Sequence, residues 1–366
     1  MKKLTSYLFL LIILSSCWSC SSVQPFQKGQ TEFLFAAYNV ENLFDNEHDQ
    51  GKEDFAYLPK DSPFKAKGCE QVESSYWKQE CFAIDWTEEK LRLKLEQIKR
   101  VVLSLPGGLP EFLALSEIEN EVVVKKLAES LGYNHYRLSD GPDERGIDTA
   151  LMWVERSDLK FISSREIPIA SAEFPRPTRP ILEVEFLVAD IHPLTVFVNH
   201  WPSQGSPNEY RLLAAKILKE RVQALKRENP RRAMILAGDF NVIDANNPNA
   251  INDVLLSSTP VFDLHDQVED KSLLAPGTYF FKRGGSWNLL DRIFVSENFK
   301  GVTGLKLSEN SFGIHQREFM TEEIFLKDDK AGERIKGVPK RYNFEATKAR
   351  DAGFSDHFPI YFRFWY

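Results

Sequence analysis

Several apolar runs of this sequence end in Asp, Asn, Glu or His, and these polar ends are the residues able to do chemistry. The run 233–242 ends in Asp239 and Asn241. Because side chains alternate along a strand, we expect the two residues to point to the same face. A polar pair at the end of a buried strand needs water, a partner or a metal ion. The pair therefore indicates a candidate site.

The same kind of ending recurs at five other places. One such residue is usually a cap or a turn residue, but six cases in one chain make independent capping a strained explanation. Carboxylate and amide oxygens with imidazoles suit Mg²⁺, Mn²⁺ or Ca²⁺, with acid–base help, better than a soft metal. The other positions are Asn39 with Glu41, Glu117, Asn199 with His200, Asp291, and Asp356 with His357.

Six ordered motifs resemble those of the endonuclease/exonuclease/phosphatase superfamily, which has the deoxyribonuclease I-like fold. They are AYNVENLF, LALSEIEN, VNHWPS, AGDFN, LDRIFV and FSDHFPI, and the resemblance covers about residues 33–366. It implies an α+β fold, a four-layer α/β/β/α sandwich of two mostly antiparallel sheets. It also implies hydrolysis of a phosphate ester by metal-assisted attack of water.

The resemblance also implies a role for each carboxylate and amide of these motifs. Glu117 is expected to be the main metal ligand, and Asn39 and Asp356 are expected to complete the metal shell. Mg²⁺ is the expected ion, with Mn²⁺ or Ca²⁺ as alternatives. Asp239 and Asn241 are expected to position or activate the attacking water.

Two histidines complete the catalytic set that the resemblance implies. His357 is expected to face the phosphate, with Asp291 holding its other ring nitrogen, and His200 is expected to contact the phosphate or the leaving oxygen. Asp148, in RGIDTALMWV, matches the acid that partners the first histidine in deoxyribonuclease-like members. We therefore expect a pair between Asp148 and His200, and the alternative is a surface residue at a strand start.

Arginines are the expected contacts to substrate phosphates, because their planar fork fits phosphate oxygens. Arg145 and Arg211 are the predicted substrate-binding residues, and Arg179 is a further candidate. The alternative for each is a surface charge or a structural ion pair. The segment 325–350 is either a solvated loop or a loop on the substrate side of the site.

The first residues, MKKLTSYLFLLIILSSCWSC, resemble a bacterial lipoprotein signal. A positive start precedes an apolar stretch that is too short to span a membrane, and LSSC resembles a lipobox. We expect residues 1–20 to be the signal region with Cys17 lipidated, residues 21–31 a tether, and 32–366 one catalytic domain. Cys20 is a weaker lipidation candidate, and an ordinary secretory signal is the alternative. Either way the protein is expected to be exported.

Two cysteines remain in the expected mature chain. Cys69 and Cys81 lie close together in sequence, without an interleaved histidine that would suggest zinc. In an exported protein such a pair favours a disulfide, and two free cysteines in a surface loop are the alternative.

The elements that must position these residues follow from hydrophobic periodicity. Helices are predicted at 88–105, 121–131 and 208–228, and a polar insertion at about 46–86. A hairpin is predicted with TYFF and LLDRIFVS on either side of KRGGSW. Strands are predicted at 32–40, 112–118, 149–155, 181–188, 194–200, 233–242 and 357–365.

Three functions are compatible with these residues. The first is an exported, membrane-anchored nuclease that acts on DNA or RNA, and the second is a phosphoesterase that acts on lipid head groups or small phosphate esters. The third, a non-catalytic binding module, conflicts with the complete set of acids, amides and histidines. The net charge of −7 excludes a global basic field for coating nucleic acid, but not an enzyme with its own cation. No apolar hairpin with exposed aromatics suggests membrane insertion, and a monomer without a protein partner is expected.

Overall fold

The computed structural model describes residues 31–171, 178–326, 332 and 334–366. The predicted signal region, with Cys17 and Cys20, and residues 21–30 of the predicted tether lie outside the described residues. Within the described part of the chain, no helix combines the length and the apolar character needed to cross a membrane.

The described residues contain six α-helices and seventeen strands, together with short 3-10 and π-helical turns. The helices are α1 Lys65–Gln71, α2 Ser75–Ala83, α3 Glu88–Leu103, α4 Glu121–Leu131, α5 Asn208–Glu228 and α6 Ala349–Ala352. The strands are β1 Glu32–Leu43, β2 Phe112–Ile118, β3 His135–Leu138, β4 Asp148–Trp153, β5 Leu159–Ile167, β6 Ile181–Val188, β7 His192–His200, β8 Ala233–Asp239, β9 Val261–Asp263, β10 Tyr279–Phe281, β11 Ser286–Asn288, β12 Asp291–Ser296, β13 Lys306–Leu307, β14 Gly313–Ile314, β15 Thr321–Phe325, β16 Arg334–Pro339 and β17 Ile360–Trp365.

Two large sheets contain most of these strands. One has seven strands in the order β13-β17-β1-β2-β4-β3, with β14 also paired to β17, and the other has six in the order β5-β6-β7-β8-β12-β9. Neighbours run antiparallel except for two pairs, β1 with β2 and β7 with β8. The predicted mixed, mostly antiparallel architecture is confirmed.

The two sheets pack face to face, and helices cover their outer faces. The ring of Phe112 in β2 meets the ring of Phe186 in β6 edge-on, with 5.2 Å between the centroids, across the space between the sheets. Apolar residues of α3 and α4 pack on the seven-stranded sheet, and Leu218 of α5 packs with Leu236 of β8. The layers are therefore α/β/β/α, as the resemblance implies.

The two parallel pairs bring the polar strand ends to one edge of the sandwich. Parallel neighbours end on the same side of a sheet, so the ends of β7 and β8 lie together, with His200 paired in register with Asp239. The same holds for β1 and β2, where Asn39 lies opposite Ser116. The candidate residues therefore collect at this edge.

The predicted insertion folds into the short helices α1 and α2, which a disulfide between Cys69 and Cys81 joins. The second strand of the predicted hairpin is wrong. Its strands are β10 and β11, whereas Asp291 begins β12, which pairs with β8 in the six-stranded sheet. The buried run of β12 packs in the sandwich instead of closing a local turn, so tertiary packing decides its partner.

Candidate active site

Glu117 enters the site because the backbone of β2 is distorted at this residue. Strict alternation would turn Glu117 to the same face as Leu113 and Leu115, opposite to Phe112. Instead its φ angle is +66°, and the pairing register with β4 shifts between Ser116 and Ile118. Left-handed conformations of this kind concentrate at functional sites. The Glu117 carboxylate accepts hydrogen bonds from Asn42 N at 2.9 Å and Asn39 Nδ2 at 3.1 Å.

The carboxylate of Asp239 is the centre of the site. Its Oδ2 accepts a hydrogen bond from Asn39 Nδ2 at 3.1 Å and lies 3.7 Å from His200 Nε2 and 3.9 Å from His357 Nε2. Burial raises the pKa of Asp239 to about 7, although the charge of His357 opposes the shift. Asp239 is therefore able to accept or release a proton near neutral pH.

The two histidines are held at either side of Asp239 in opposite electrostatic environments. Burial alone would lower the pKa of His357, but the carboxylates of Asp291, Asp239 and Asp356 outweigh it and raise the pKa well above its ordinary value. Burial, together with Arg179, lowers the pKa of His200 well below its ordinary value. One imidazole is thus cationic and the other neutral, a division that suits an acid and a base or neutral donor.

The expected partner of His357 is in place. Asp291 Oδ2 lies 2.6 Å from His357 Nδ1, so the carboxylate fixes the ring and leaves Nε2 facing Asp239. The ring of Tyr279 packs beside the His357 ring, with 5.0 Å between the centroids, and the two residues also form a β-bridge. Tyr279 was not identified from the sequence, where TYFF indicates only a strand.

The expected pair between Asp148 and His200 is not formed. Asp148 Oδ1 accepts hydrogen bonds from Ser139 Oγ at 2.7 Å and Gly141 N at 3.0 Å, and His200 Nδ1 is buried without a hydrogen-bond partner among the described residues. Asp148 thus stabilises the turn that precedes β4. Arg179 positions His200 instead, because its Nε donates to the His200 carbonyl oxygen at 2.9 Å.

Asn241 lies beside the cluster, beyond the end of its strand. The strand β8 ends at Asp239, and Asn241 has a φ angle of +51°, so the alternation argument fails at this residue. Its Nδ2 donates to the Trp201 carbonyl oxygen at 3.1 Å, and its backbone N donates to Asp239 Oδ1 at 2.9 Å. Its contact with the cluster is therefore through the backbone.

Of the three candidate arginines, Arg179 and Arg211 bond backbone carbonyl oxygens and Arg145 is open. Arg211 is buried, and its Nη1 donates to the carbonyl oxygens of Pro202 and Ser203, which ties α5 to the loop after β7. Arg145 is half-exposed, with its Nε 3.6 Å from Asp143 Oδ1. It also contributes to the low pKa of His200, so it lies near the site with its guanidinium accessible.

The carboxylate and amide groups of the site are of the type that binds a hard divalent ion, although they do not surround a common point closely enough to coordinate one. Among the described residues, no three acids and histidines are close enough to hold an ion as they stand. Glu117 and Asp356 nevertheless supply carboxylate oxygens, which Mg²⁺ prefers. Burial raises the pKa of Asp356 and the charge of Glu117 adds to this shift, although the charges of His357 and Arg341 oppose it. Asn39 presents Nδ2 to the acids, so ligation through its oxygen requires the amide to turn.

Two cations near these acids were also missed. Arg341 pairs with the buried carboxylate of Glu41, which also accepts a hydrogen bond from Tyr342 N at 2.8 Å. The segment 340–342 therefore reaches the site, as the substrate-side alternative for 325–350 expected. Lys94, on α3, is fully buried beneath the same region. Its signal in the sequence is a lysine on the helix face otherwise formed by Leu91, Leu95 and Ile98.

Comparisons with known proteins bear on the family and the fold of the chain. Residues 34–365 match the Endonuclease/Exonuclease/phosphatase family. No curated protein sequence matches the chain.

Three solved structures share the fold at low identity. An endonuclease/exonuclease/phosphatase family protein from Bacteroides thetaiotaomicron has a TM-score of 0.50 and 16% identity, covering 92% of this chain and 98% of that one. One from Bacteroides vulgatus has a TM-score of 0.54 and 13% identity, covering 91% and 98%. TDP2 from Caenorhabditis elegans has a TM-score of 0.52 and 13% identity, covering 92% and 75%. At these identities, the likeness shows a common fold.

Proposed function

The chain belongs to the endonuclease/exonuclease/phosphatase family and is a hydrolase of phosphate esters, and we propose that it is an exported, metal-dependent nuclease acting on DNA or RNA. The observation that carries the reaction class is the environment of Asp239 Oδ2. One amide nitrogen and two imidazole nitrogens lie within 3.9 Å of this oxygen. Such a cluster matches the needs of phosphoester hydrolysis, which are a base, a cationic donor and an oxygen-rich metal shell.

Each side chain has a role in the proposed reaction. Glu117, Asp356 and Asn39 would hold Mg²⁺, which neutralises the phosphate charge and acts as a Lewis acid. Asp239 takes the proton of the attacking water, which its pKa of about 7 permits. His357, kept cationic by the carboxylates around it, donates from Nε2 to a phosphate oxygen as negative charge develops there.

The remaining residues bind and orient the substrate. Neutral His200, held through its backbone by Arg179, donates a hydrogen bond to the phosphate or the leaving oxygen. Arg145 contacts a phosphate beside the scissile one, because its guanidinium is half-exposed on the His200 side. If Arg145 makes this contact, a polynucleotide fits the site better than a small monoester does.

The test is a substrate panel with three metals and two histidine variants. Supercoiled plasmid, single-stranded DNA, RNA, sphingomyelin, a phosphomonoester and a generic phosphodiester are offered with Mg²⁺, Mn²⁺, Ca²⁺ or a chelator. We expect metal-dependent cleavage of nucleic acid that His357→Ala abolishes. His192→Ala is the matched control, because His192 lies at the other end of the strand that carries His200. Intact nucleic acid with a cleaved lipid or small ester would refute the nuclease proposal and retain the reaction class.

One observation favours a second candidate, a phosphodiesterase that acts on lipid head groups. The insertion that contains the Cys69–Cys81 disulfide exposes large aromatic side chains. The sequence did not suggest them as a membrane-facing surface. Exposed aromatics of this kind suit an interface with lipid. In the panel, cleavage of sphingomyelin with nucleic acid left intact would favour this candidate. The exposed side chains are Phe64, Tyr76, Trp77 and Phe82.

We also propose that Cys17 carries the lipid anchor and that the protein works as a monomer at the outer side of a bacterial membrane. The lipobox-like LSSC supports the first part. Detergent phase partition of the expressed protein tests it, because Cys17→Ser is expected to move the protein to the aqueous phase and Cys20→Ser is not. Gel filtration of the detergent-free variant tests the monomer.

A further inference from the structure

A buried lysine lies under the candidate metal site and has no role in the proposed reaction. Lys94 is 0% exposed and occupies the face of α3 that packs on the seven-stranded sheet. Taking an ammonium ion out of water costs several kcal/mol unless its donors are satisfied. Leu91 and Leu95 on the same face show that an apolar residue is compatible with this layer, so the lysine calls for a specific explanation.

Two carbonyl oxygens and two aromatic rings surround the ammonium, with the centroid of the Phe344 ring 5.3 Å from Nζ. Nζ donates to the carbonyl oxygen of Glu41 at 3.0 Å and to that of Phe354 at 3.3 Å. The ring of Tyr342 covers the third side, with its centroid 4.0 Å from Nζ. Among the described residues these are backbone and ring contacts, and none is an ion pair. The lysine therefore acts as a clamp on the main chain.

The two carbonyl groups that Lys94 bonds belong to the segments that carry two candidate metal ligands. Glu41 follows Asn39 by two residues, and Phe354 precedes Asp356 by two residues. Glu41 also has a φ angle of +55°, a strained conformation that needs support from its surroundings. The bond from Lys94 to its carbonyl oxygen supplies part of that support. Lys94 thus joins the two segments directly, through one hydrogen bond to each.

Neighbouring contacts reinforce the same junction from either side. Ser355 Oγ donates to the Asn39 carbonyl oxygen at 2.7 Å, directly between the two ligands. Gln97, one turn after Lys94, donates to the Gly353 carbonyl oxygen at 2.7 Å. Helix α3 therefore presents two polar side chains, about one turn apart, to the segment that leads into Asp356.

We propose that Lys94 is a positioning residue of the metal centre, fixing the distance between the segments that carry Asn39 and Asp356 so that a divalent ion binds between them and Glu117. The inference rests on the proposed metal-dependent function. Its positive charge also lowers the mutual repulsion of the acids before the ion arrives. Groups that orient metal ligands without touching the ion typically contribute about 10- to 100-fold in metal affinity.

The test measures metal binding by the full chain, independently of substrate. Mn²⁺ is titrated calorimetrically, and the part of the binding that Glu117→Gln removes defines the site. Lys94→Met, which removes the charge and the donors at similar length, is expected to weaken this binding about 10- to 100-fold. Lys94→Gln retains two N–H donors and is expected to fall between Lys94→Met and the wild type. Lys90→Met is the matched control.

Lys90 lies one turn earlier on α3 and bonds only the carbonyl oxygen of Phe344, so its loss is expected to leave Mn²⁺ binding unchanged. Urea unfolding of each variant establishes that the variant is folded during the titration. If Lys94→Met is not folded, the Mn²⁺ affinity of Lys94→Gln decides whether the lysine positions the metal ligands. We also expect a lower kcat with little change in KM for Lys94→Met.

Three results would overturn one of two separate conclusions. A folded Lys94→Met or Lys94→Gln protein with wild-type Mn²⁺ affinity would show that the lysine only supports the fold. Equal losses in the Lys90 and Lys94 variants would have the same meaning. A wild-type chain without Glu117-dependent Mn²⁺ binding would instead refute the proposed metal-dependent function.

Discussion

Replacing Asp291 by Asn removes a charge while keeping the shape of the site. In the wild type, Asp291 Oδ2 lies 2.6 Å from His357 Nδ1, and both side chains are buried. With charge centres about 4 Å apart and an effective dielectric constant of about 20, the carboxylate stabilises the imidazolium by about 4 kcal/mol. An amide oxygen in the same place retains a hydrogen bond that contributes about 1 kcal/mol. The net loss is about 3 kcal/mol.

If the imidazolium of His357 donates to the phosphate in the transition state, this loss appears in kcat. A barrier higher by about 3 kcal/mol corresponds to a rate lower by roughly 100-fold. The assay is the initial rate of hydrolysis of a generic phosphodiester, at saturating Mg²⁺ and substrate. KM is expected to change little, because the interaction strengthens as charge develops on the phosphate.

Asp158→Asn is the control for the loss of a paired carboxylate. Asp158 Oδ2 pairs with Arg156 Nη2 at 2.8 Å, outside the catalytic cluster, and its replacement is expected to leave kcat unchanged. A decrease in kcat of less than about fivefold in Asp291→Asn would refute the reasoning, because the Asp291 carboxylate would then orient the His357 ring without stabilising its charge. Equal decreases in both variants would also refute it.

Three further predictions concern stability. Phe112→Ala is expected to lower the free energy of unfolding by about 3–5 kcal/mol in urea titrations, because the ring is fully buried, and Phe64→Ala, with its ring half-exposed, by less than about 0.5 kcal/mol. Replacing Cys69 and Cys81 together by Ser is expected to cost about 2–4 kcal/mol, and an unchanged denaturation midpoint would show that the bridge does not constrain the chain. Burial lowers the pKa of His315 from 6.5 to about 4. Its stabilising contribution is therefore complete above pH 6.5 and falls as the pH drops toward 4. At pH 4 we expect the free energy of unfolding to be lower by about 2 kcal/mol, and we expect His315→Gln to remove this pH-dependent loss.

The fold was predictable because its signals are local and repeated. The strand of Phe112–Ile118 and the helices α4 and α5 have the predicted bounds, since each is a clear hydrophobic pattern with polar or glycine ends. The partner of β12 was not predictable in the same way. Its pairing depends on which buried surface it covers, and that information is spread over the whole chain.

The site was predictable where the motif residue itself faces the cleft. Asp239, Glu117 and His357 meet as expected, because the ordered motifs carry the resemblance. Alternation failed at Asn241, where a left-handed residue follows the end of the strand. The contacts of Arg211 were not predictable from its type, since a guanidinium suits backbone carbonyls as well as phosphates.

The contacts of His200 and of the lysine under the site could not be predicted from the sequence. Asp148 has the right type and the right strand, but Ser139 and Gly141 N–H already satisfy its Oδ1. Lys94 carries a visible signal, a charge in the apolar stripe of a helix, which a sequence reading normally assigns to a solvated edge. Only the contacts with Glu41 and Phe354 reveal what the charge does.

The pairing of β1 with β17 has a consequence for the synthesis of the protein. Glu32 lies opposite Trp365, so the first described strand finds its neighbour in the last one. Contacts between such distant parts of a chain form slowly, and chains emerge from the ribosome at roughly 5–20 residues per second. The edge of β1 that faces β17 therefore stays unpaired until residues 360–365 have been synthesised, and the site is incomplete until Asp356 and His357 have joined it.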